Sequence, residues 1–362
     1  MGRVNSLTVG GFRSIRDLEV KFETVNLVTG ANGAGKSNLF NAFRLLKSAI
    51  EGRLTASIIE EGGLSSILWA GQREKGPVRL KLAVEIDPFH YTLEVGLRPQ
   101  SEFPLFELDP QIKFEEVRLA GRVMVSRKTS VADMRTLEGP KEMRLDLVDS
   151  ESIFAQIGDP EKYSYLYLLK EMVARWTFYH EFRTDSQSPI RRPAVGTFTP
   201  RLAEDGSNLG PAWYVIQNRG DIGLLQEIVS SALPELRVNA SQTSIIVQQV
   251  GVKRELSASE LSDGTLKFLC LAAACFSVHP PPLIAFNEPE TSLNPQAVSA
   301  LARLFKHCSE KSQLWITTHS EELARDVGRS TGCRRINLVK VDGETTKDGL
   351  SSRLGYREDE DA

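Results

Sequence analysis

The sequence predicts an α/β fold: a P-loop core with a mixed, mostly parallel sheet, an antiparallel β-lobe and a helical insertion. Three observations predict it. A glycine-rich octet, Gly30 to Ser37 (GANGAGKS), lies between an apolar run, Val25 to Thr29, and an amphipathic stretch that starts at Asn38. Two further apolar runs, Pro281 to Phe286 and Leu314 to Thr318, lead into polar residues, as strands buried on both faces do. From Pro77 the hydrophobic period changes to two, the pattern of an antiparallel sheet with one wetted face.

Taken in order, Leu7 to Val9 and Ile15 to Phe22 read as strands joined through GGFRS, with Leu18, Val20 and Phe22 alternating with charged residues. Val25 to Thr29 reads as a short buried strand. Asn38 to Ile50 places Leu39, Phe43, Leu46 and Ile50 at helical spacing. Val78 to Ile86 and Tyr91 to Leu97 alternate on either side of Asp87-Pro88, and further strands are expected through Ile112 to Val125 and around Met143 to Leu147. Helices are expected at Tyr163 to Trp176, Pro211 to Asn218 and Ile222 to Leu233, the aromatic residues of the first serving as core. Arg191 and Arg192 fall in a proline-flanked loop read as solvated. His180 has no metal-ligand spacing to another His or Cys and reads as a hydrogen-bonded structural histidine. The tail REDEDA reads as disordered.

Composition excludes several classes. The 362 residues are 41% hydrophobic and 25% charged, as in globular proteins, and a formal charge of -3 gives no global nucleic-acid signal. Cys270, Cys275, Cys308 and Cys333 form no C-x-x-C pair, so neither zinc nor a disulfide framework is indicated. The N-terminus lacks the apolar core of a signal peptide, and the longest apolar run is too short to span a bilayer. A cytoplasmic location is expected, with no membrane partner.

The octet matches G-x-x-x-x-G-K-[ST] without a mismatch. A glycine-rich turn between a strand and a helix N-terminus points several backbone N–H groups at one phosphate chain. The candidate contacts are Asn32, Gly33, Ala34, Gly35, Lys36, Ser37 and Asn38. Lys36 would reach the β/γ-phosphates, and the Ser37 hydroxyl would ligate Mg²⁺. Far along the chain, Leu261 to Thr265 (LSDGT) begins an apolar helix and offers a second anion-binding end at Ser262 and Gly264. The strand ending in Asn287-Glu288-Pro289-Glu290 brings carboxylates to its C-terminal edge. Glu288 is the candidate for polarising an attacking water, Asn287 stands where a metal-holding carboxylate is expected, and Glu290 is either a contributor or structural. His319, after the last apolar strand, is placed to touch a γ-phosphate.

In this order, GANGAGKSN, LSDGTLKFL, NEPETSLNP and TTHS resemble the ABC class of ATPases, within it the RecF, SMC and OLD-like group. The similarity is dense over residues 3–50 and 257–341, and closest to short stand-alone members without a long coiled coil. The resemblance implies that Ser262 and Gly264 contact the γ-phosphate of a nucleotide held by another subunit. It implies that Glu288 is the catalytic carboxylate, His319 the switch histidine and Ser292 to Asn294 the D-loop. Three departures stand out. Asn287 replaces an Asp, Asn294 replaces a His, and no glutamine is obvious as the metal-contacting Q-loop residue. Gln156 is taken first for that role and Gln72 second. The expected organisation is residues 1–149 as the first ATPase part with the β-lobe, 150–235 as the helical insertion, and 236–362 as the rest of the ATPase domain. The expected activity is Mg²⁺-dependent ATP hydrolysis that gates a homodimer, read by DNA or an effector protein, in repair, chromosome handling or antiphage defence. A transporter nucleotide-binding subunit and an ATP-binding module with little hydrolysis are the alternatives.

Overall fold

A computed structural model describes residues 2–71, 78–99, 109–137 and 139–348. Gln72 and the tail of residues 357–362 lie outside these. The chain divides into two compact units, one of residues 23–28 and 175–335, the other of residues 2–22, 29–174 and 336 onward.

The first unit is organised on four parallel strands in the order Thr177–Tyr179, Leu283–Asn287, Gln313–Thr317, Val25–Thr29, the last contributing its first four residues. Asn287 is in register with Thr317, and Ile316 with Leu27. Burial on both faces explains the unbroken apolar runs. The helices Leu209–Arg219, Ile222–Ala232, Asp263–Cys275 and Pro295–Ser309 contribute to one core with Trp213, Phe268, Phe286, Phe305 and Ile316. Three short antiparallel strands, Leu236–Ala240, Ile245–Gln249 and Leu256–Ser257, complete this unit. They were not expected, because their short runs carry no sustained alternation.

The second unit carries an eight-stranded antiparallel sheet in the order Ile15–Lys21, Val4–Phe12, Leu80–Ile86, Phe89–Leu97, Pro110–Leu119, Arg122–Lys128, Val131–Thr136, Gly139–Asp146. The N-terminal strands and the period-two block thus form one sheet. The strand Val131–Thr136 had escaped notice, since only Ala132 and Met134 mark its buried face. The helix Lys36–Ile50 buries Leu39, Phe40, Phe43, Leu46 and Ile50. Inside the sheet, Arg127 donates to Glu115 at 3.0 Å with both side chains fully buried, and the Tyr91 hydroxyl donates to Glu115 at 2.9 Å. Burial pushes the Glu115 carboxyl up, against the pull of Arg127. Arg127 also donates to the carbonyls of Val148 and Glu151, and so fixes the exit from the sheet.

The expected insertion of residues 150–235 is not one body. Its first helix, Ser164–Ala174, packs against Lys36–Ile50 in the second unit, whereas Leu209–Arg219 and Ile222–Ala232 belong to the first. The aromatic residues face two cores: Tyr165 is buried in one unit, Trp213 in the other. Among the described residues, no helix is long and apolar enough to cross a membrane.

Candidate functional site

The phosphate loop belongs to the second unit. The chain leaves the buried strand Val25–Thr29 and enters the helix Lys36–Ile50 through Gly35, which has φ +102°. A Cβ there would lie 2.1 Å from the Thr345 hydroxyl, so only glycine fits. Asn32, Gly33 and Ser37 are exposed, while Ala34, Gly35 and Lys36 are buried. Lys36 Nζ donates to the carbonyls of Gly30 at 2.7 Å and Ala31 at 3.2 Å, which holds the ammonium at the loop. The first helical turn has no acidic residue. Its N–H groups, lacking intrahelical partners, therefore form an uncompensated positive end.

A directed chain of hydrogen bonds braces the loop from below. Asn38 Nδ2 donates to Ser14 Oγ at 2.7 Å. Thr345 Oγ1 gives its single proton to the Ala34 carbonyl at 3.0 Å, so Ser14 Oγ must donate to Thr345 Oγ1 at 2.7 Å. Asn38, expected as a phosphate contact, directs its side-chain amide inward to this brace. Ser14 and Thr345 were missed because 331 positions separate them and neither sits in a motif.

The carboxylate edge belongs to the first unit. Parallel pairing puts the C-terminal ends of its strands on one side, so His180, Asn287-Glu288 and Thr318-His319 follow neighbouring strands at one edge. Asn287 Oδ1 accepts from Thr317 Oγ1 at 2.8 Å, and Nδ2 stands 3.2 Å from His180 Nδ1. His180 is thus a partner of Asn287. Glu288 adopts φ +45°, its N–H bonded to the Thr317 carbonyl at 2.9 Å. Left-handed backbone at a non-glycine residue is strained and concentrates at functional sites. The Glu288 side chain is 30% exposed and that of Glu290 only 5%. Glu290 Oε1 accepts from Thr318 Oγ1 at 2.6 Å and from the N–H groups of His319 and Ser320 at 3.0 and 3.3 Å.

The LSDGT segment starts the helix Asp263–Cys275, where Ser262 is the N-cap, its Oγ accepting from Thr265 N–H at 3.2 Å. Ser262 is nevertheless exposed. A Cβ on Gly264 would lie 2.5 Å from the Ser292 carbonyl, so this glycine has a local reason, the close passage of the segment after Glu290. Lys267 strengthens that contact by donating to the carbonyls of Thr291 at 2.8 Å and Glu288 at 3.3 Å. Burial lowers its amine from the ordinary value, and Glu290, Glu181 and Glu288 oppose the shift. Arg191 is not a solvated loop residue. It donates to the carbonyls of Thr184, Ser259 and Leu261 and pairs with Asp263 at 2.6 Å, gripping the approach to Ser262. Asn294 caps the helix Pro295–Ser309 through Ala297 N–H at 2.7 Å, a task an Asn performs better than the expected His.

Gln156 is engaged by its own surroundings. Its Oε1 accepts from Val148 N–H at 2.7 Å, and its Nε2 donates to the carbonyls of Val148 and Glu151. The amide thereby ties down the segment that Arg127 also holds.

A family model described as "AAA domain, putative AbiEii toxin, Type IV TA system" matches residues 25–325. No curated protein matches the sequence significantly. Among solved structures, the Smc head bound to the C-terminal winged-helix domain of ScpA is similar, with TM-score 0.53 and 16% identity over 95% of this chain and 97% of that one. The Smc head with an extended coiled coil, bound to the C-terminal domain of ScpA derived from Pyrococcus furiosus, gives 0.51 and 15%, covering 96% of each chain. At such identity the likeness concerns the fold.

Proposed function

The chain belongs to the AAA-domain family whose model matches residues 25–325, with the ABC-type ATPase fold of Smc heads, and on that premise we propose that it is an ATP-driven switch. It binds ATP, hydrolyses it with Mg²⁺, and uses the γ-phosphate to close a homodimer whose state a protein partner or DNA reads. The observation that carries this reading is the braced loop of residues 30–38, where a buried ammonium and an uncompensated helix N-terminus coincide. Both features select a polyanionic phosphate chain.

The roles follow from chemistry. Lys36 and the N–H groups of residues 33–37 hold the phosphates. Ser37 is exposed, and Asn287 Oδ1 keeps a lone pair beyond the one Thr317 uses. Both are hard oxygen donors that suit Mg²⁺, which supplies neutralisation of the charge on the transferring phosphoryl group. Glu288 polarises water, and His319 meets the γ-phosphate. Ser262 and Gly264 reach the nucleotide of a second copy, which gives an exposed second anion end a use. A slow-hydrolysis module is the second reading, favoured by the neutral Asn287 and its engagement with Thr317.

The test is mass by light scattering during chromatography, on Glu288→Gln protein. We expect a dimer with ATP and a monomer with ADP, because only ATP carries the γ-phosphate that favours the closed state. Ser262→Arg should abolish that dimer and leave ATP binding intact. Equal mass with ATP, with ADP and without nucleotide would remove the switch.

A further inference from the structure

Glu290 lies two residues past the catalytic candidate and is almost fully buried. Its two oxygens are used very unequally. Oε1 collects the Thr318 hydroxyl and the His319 and Ser320 N–H groups. Oε2 is buried with no hydrogen-bond partner. A residue kept only to tie down Thr318–Ser320 would need an acceptor oxygen, not a charge. Burying a carboxylate with one oxygen unsatisfied is costly, which calls for a use of the charge itself.

The Lys267 ammonium answers part of that charge, and the neighbouring imidazole offers a further use. His319 Nδ1 stands 3.3 Å from Glu290 Oε1 and 3.7 Å from Glu288 Oε1. Two carboxylates facing one ring nitrogen favour the tautomer with its proton on that nitrogen. Nε2 is then the acceptor turned to the other side of the ring. The His319 side chain is 42% exposed, so the ring is open to solvent. Glu290 thus meets His319 at two places, by a hydrogen bond to the backbone N–H and by a close charge contact with the ring.

We propose that Glu290 is a positioning residue that fixes the tautomer and direction of His319, so that Nε2 meets the attacking water or the phosphate. This rests on the ATPase reading above. In this role Glu290 acts through the imidazole and not on the reacting atoms.

Glu290→Gln separates this role from a structural one. The variant keeps the size and an acceptor oxygen for Thr318, His319 and Ser320, and loses only the charge facing Nδ1. We expect kcat to fall roughly tenfold or more with KM for ATP within about twofold, the scale of misdirecting a reacting group. In the ¹⁵N spectrum of histidine-labelled protein, His319 should be Nδ1-protonated in the wild type and lose that preference in the variant. In a His319→Ala background, Glu290→Gln should cause no further loss. Wild-type kcat in Glu290→Gln, additive losses, or an Nε2-protonated His319 in the wild type would each overturn the proposal. If Glu290→Gln fails to fold, the wild-type spectrum still decides. If the wild type hydrolyses no ATP, the ATPase reading fails, while the spectrum reports separately on Glu290 and His319.

Discussion

At the phosphate loop the cation is tied back. Lys36 bonds two carbonyls of its own loop, and the chain from Asn38 through Ser14 and Thr345 to Ala34 holds the turn from beneath. At the carboxylate edge the anions are held differently. Glu288 stands partly exposed on left-handed backbone, and Glu290 keeps one oxygen buried without a hydrogen bond. Binding a phosphate chain rewards a rigid, satisfied cradle, because ordering it at the moment of binding would cost affinity. Moving a proton rewards a carboxylate within reach of water, as the partly exposed Glu288 is. On this comparison, substitutions at the loop should change affinity and those at the edge should change rate.

The largest effect that could break the comparison is at Lys36. Lys36→Ala should weaken ATP binding by roughly 100-fold or more, the cost of losing charge-assisted hydrogen bonds. Calorimetry on the folded variant checks it, and affinity within a few-fold of wild type would remove the loop from phosphate binding. Next comes Glu288→Gln, expected to lower kcat by about two decades or more while ATP affinity stays within about threefold. Single-turnover phosphate release measures it. A parallel loss of affinity would show that the edge also binds, and the division of labour would collapse.

Thr345→Val sharpens the comparison from the loop side. The shape is kept, but Ala34 loses its donor and Ser14 its acceptor, so ATP affinity should fall about five- to tenfold, near the worth of one to two hydrogen bonds. At saturating ATP, kcat should not change. The smallest effect is expected at the edge. Asn287→Asp adds a charged ligand where Thr317 already donates, and should lower the Mg²⁺ concentration for half-maximal rate by about threefold. A Mg²⁺ titration that does not move would place Asn287 outside the metal shell.

Much of this was legible in the residues. GANGAGKS carries its own context, since strand, turn and helix are consecutive and local backbone chemistry decides all three. NEPE and TTHS were found because apolar runs end there. What each neighbour does was not legible. Asn287, His180 and Thr317 meet only because three separate strands pair in parallel. Arg191 looked like a loop residue because its partners, the carbonyls of Ser259 and Leu261, are backbone groups some 70 positions away that no sequence pattern announces. The ties of Gln156 to Val148 were not legible either, because a glutamine's hydrogen-bond partners cannot be read from its neighbours.

By itself, then, the sequence determined what local forces determine: the helix and strand periods, the glycines that allow positive φ, and the order of motifs along the chain. Tertiary structure decided what long-range pairing decides. It placed Thr345 under Gly35, set Gly264 against Ser292, and split the expected insertion between two units. It also made Glu290 the buried partner of His319, 29 residues away. The physical reason is range. Backbone preference and hydrophobic period act over a few residues, whereas a hydrogen bond between distant residues exists only after the whole sheet has fixed its register.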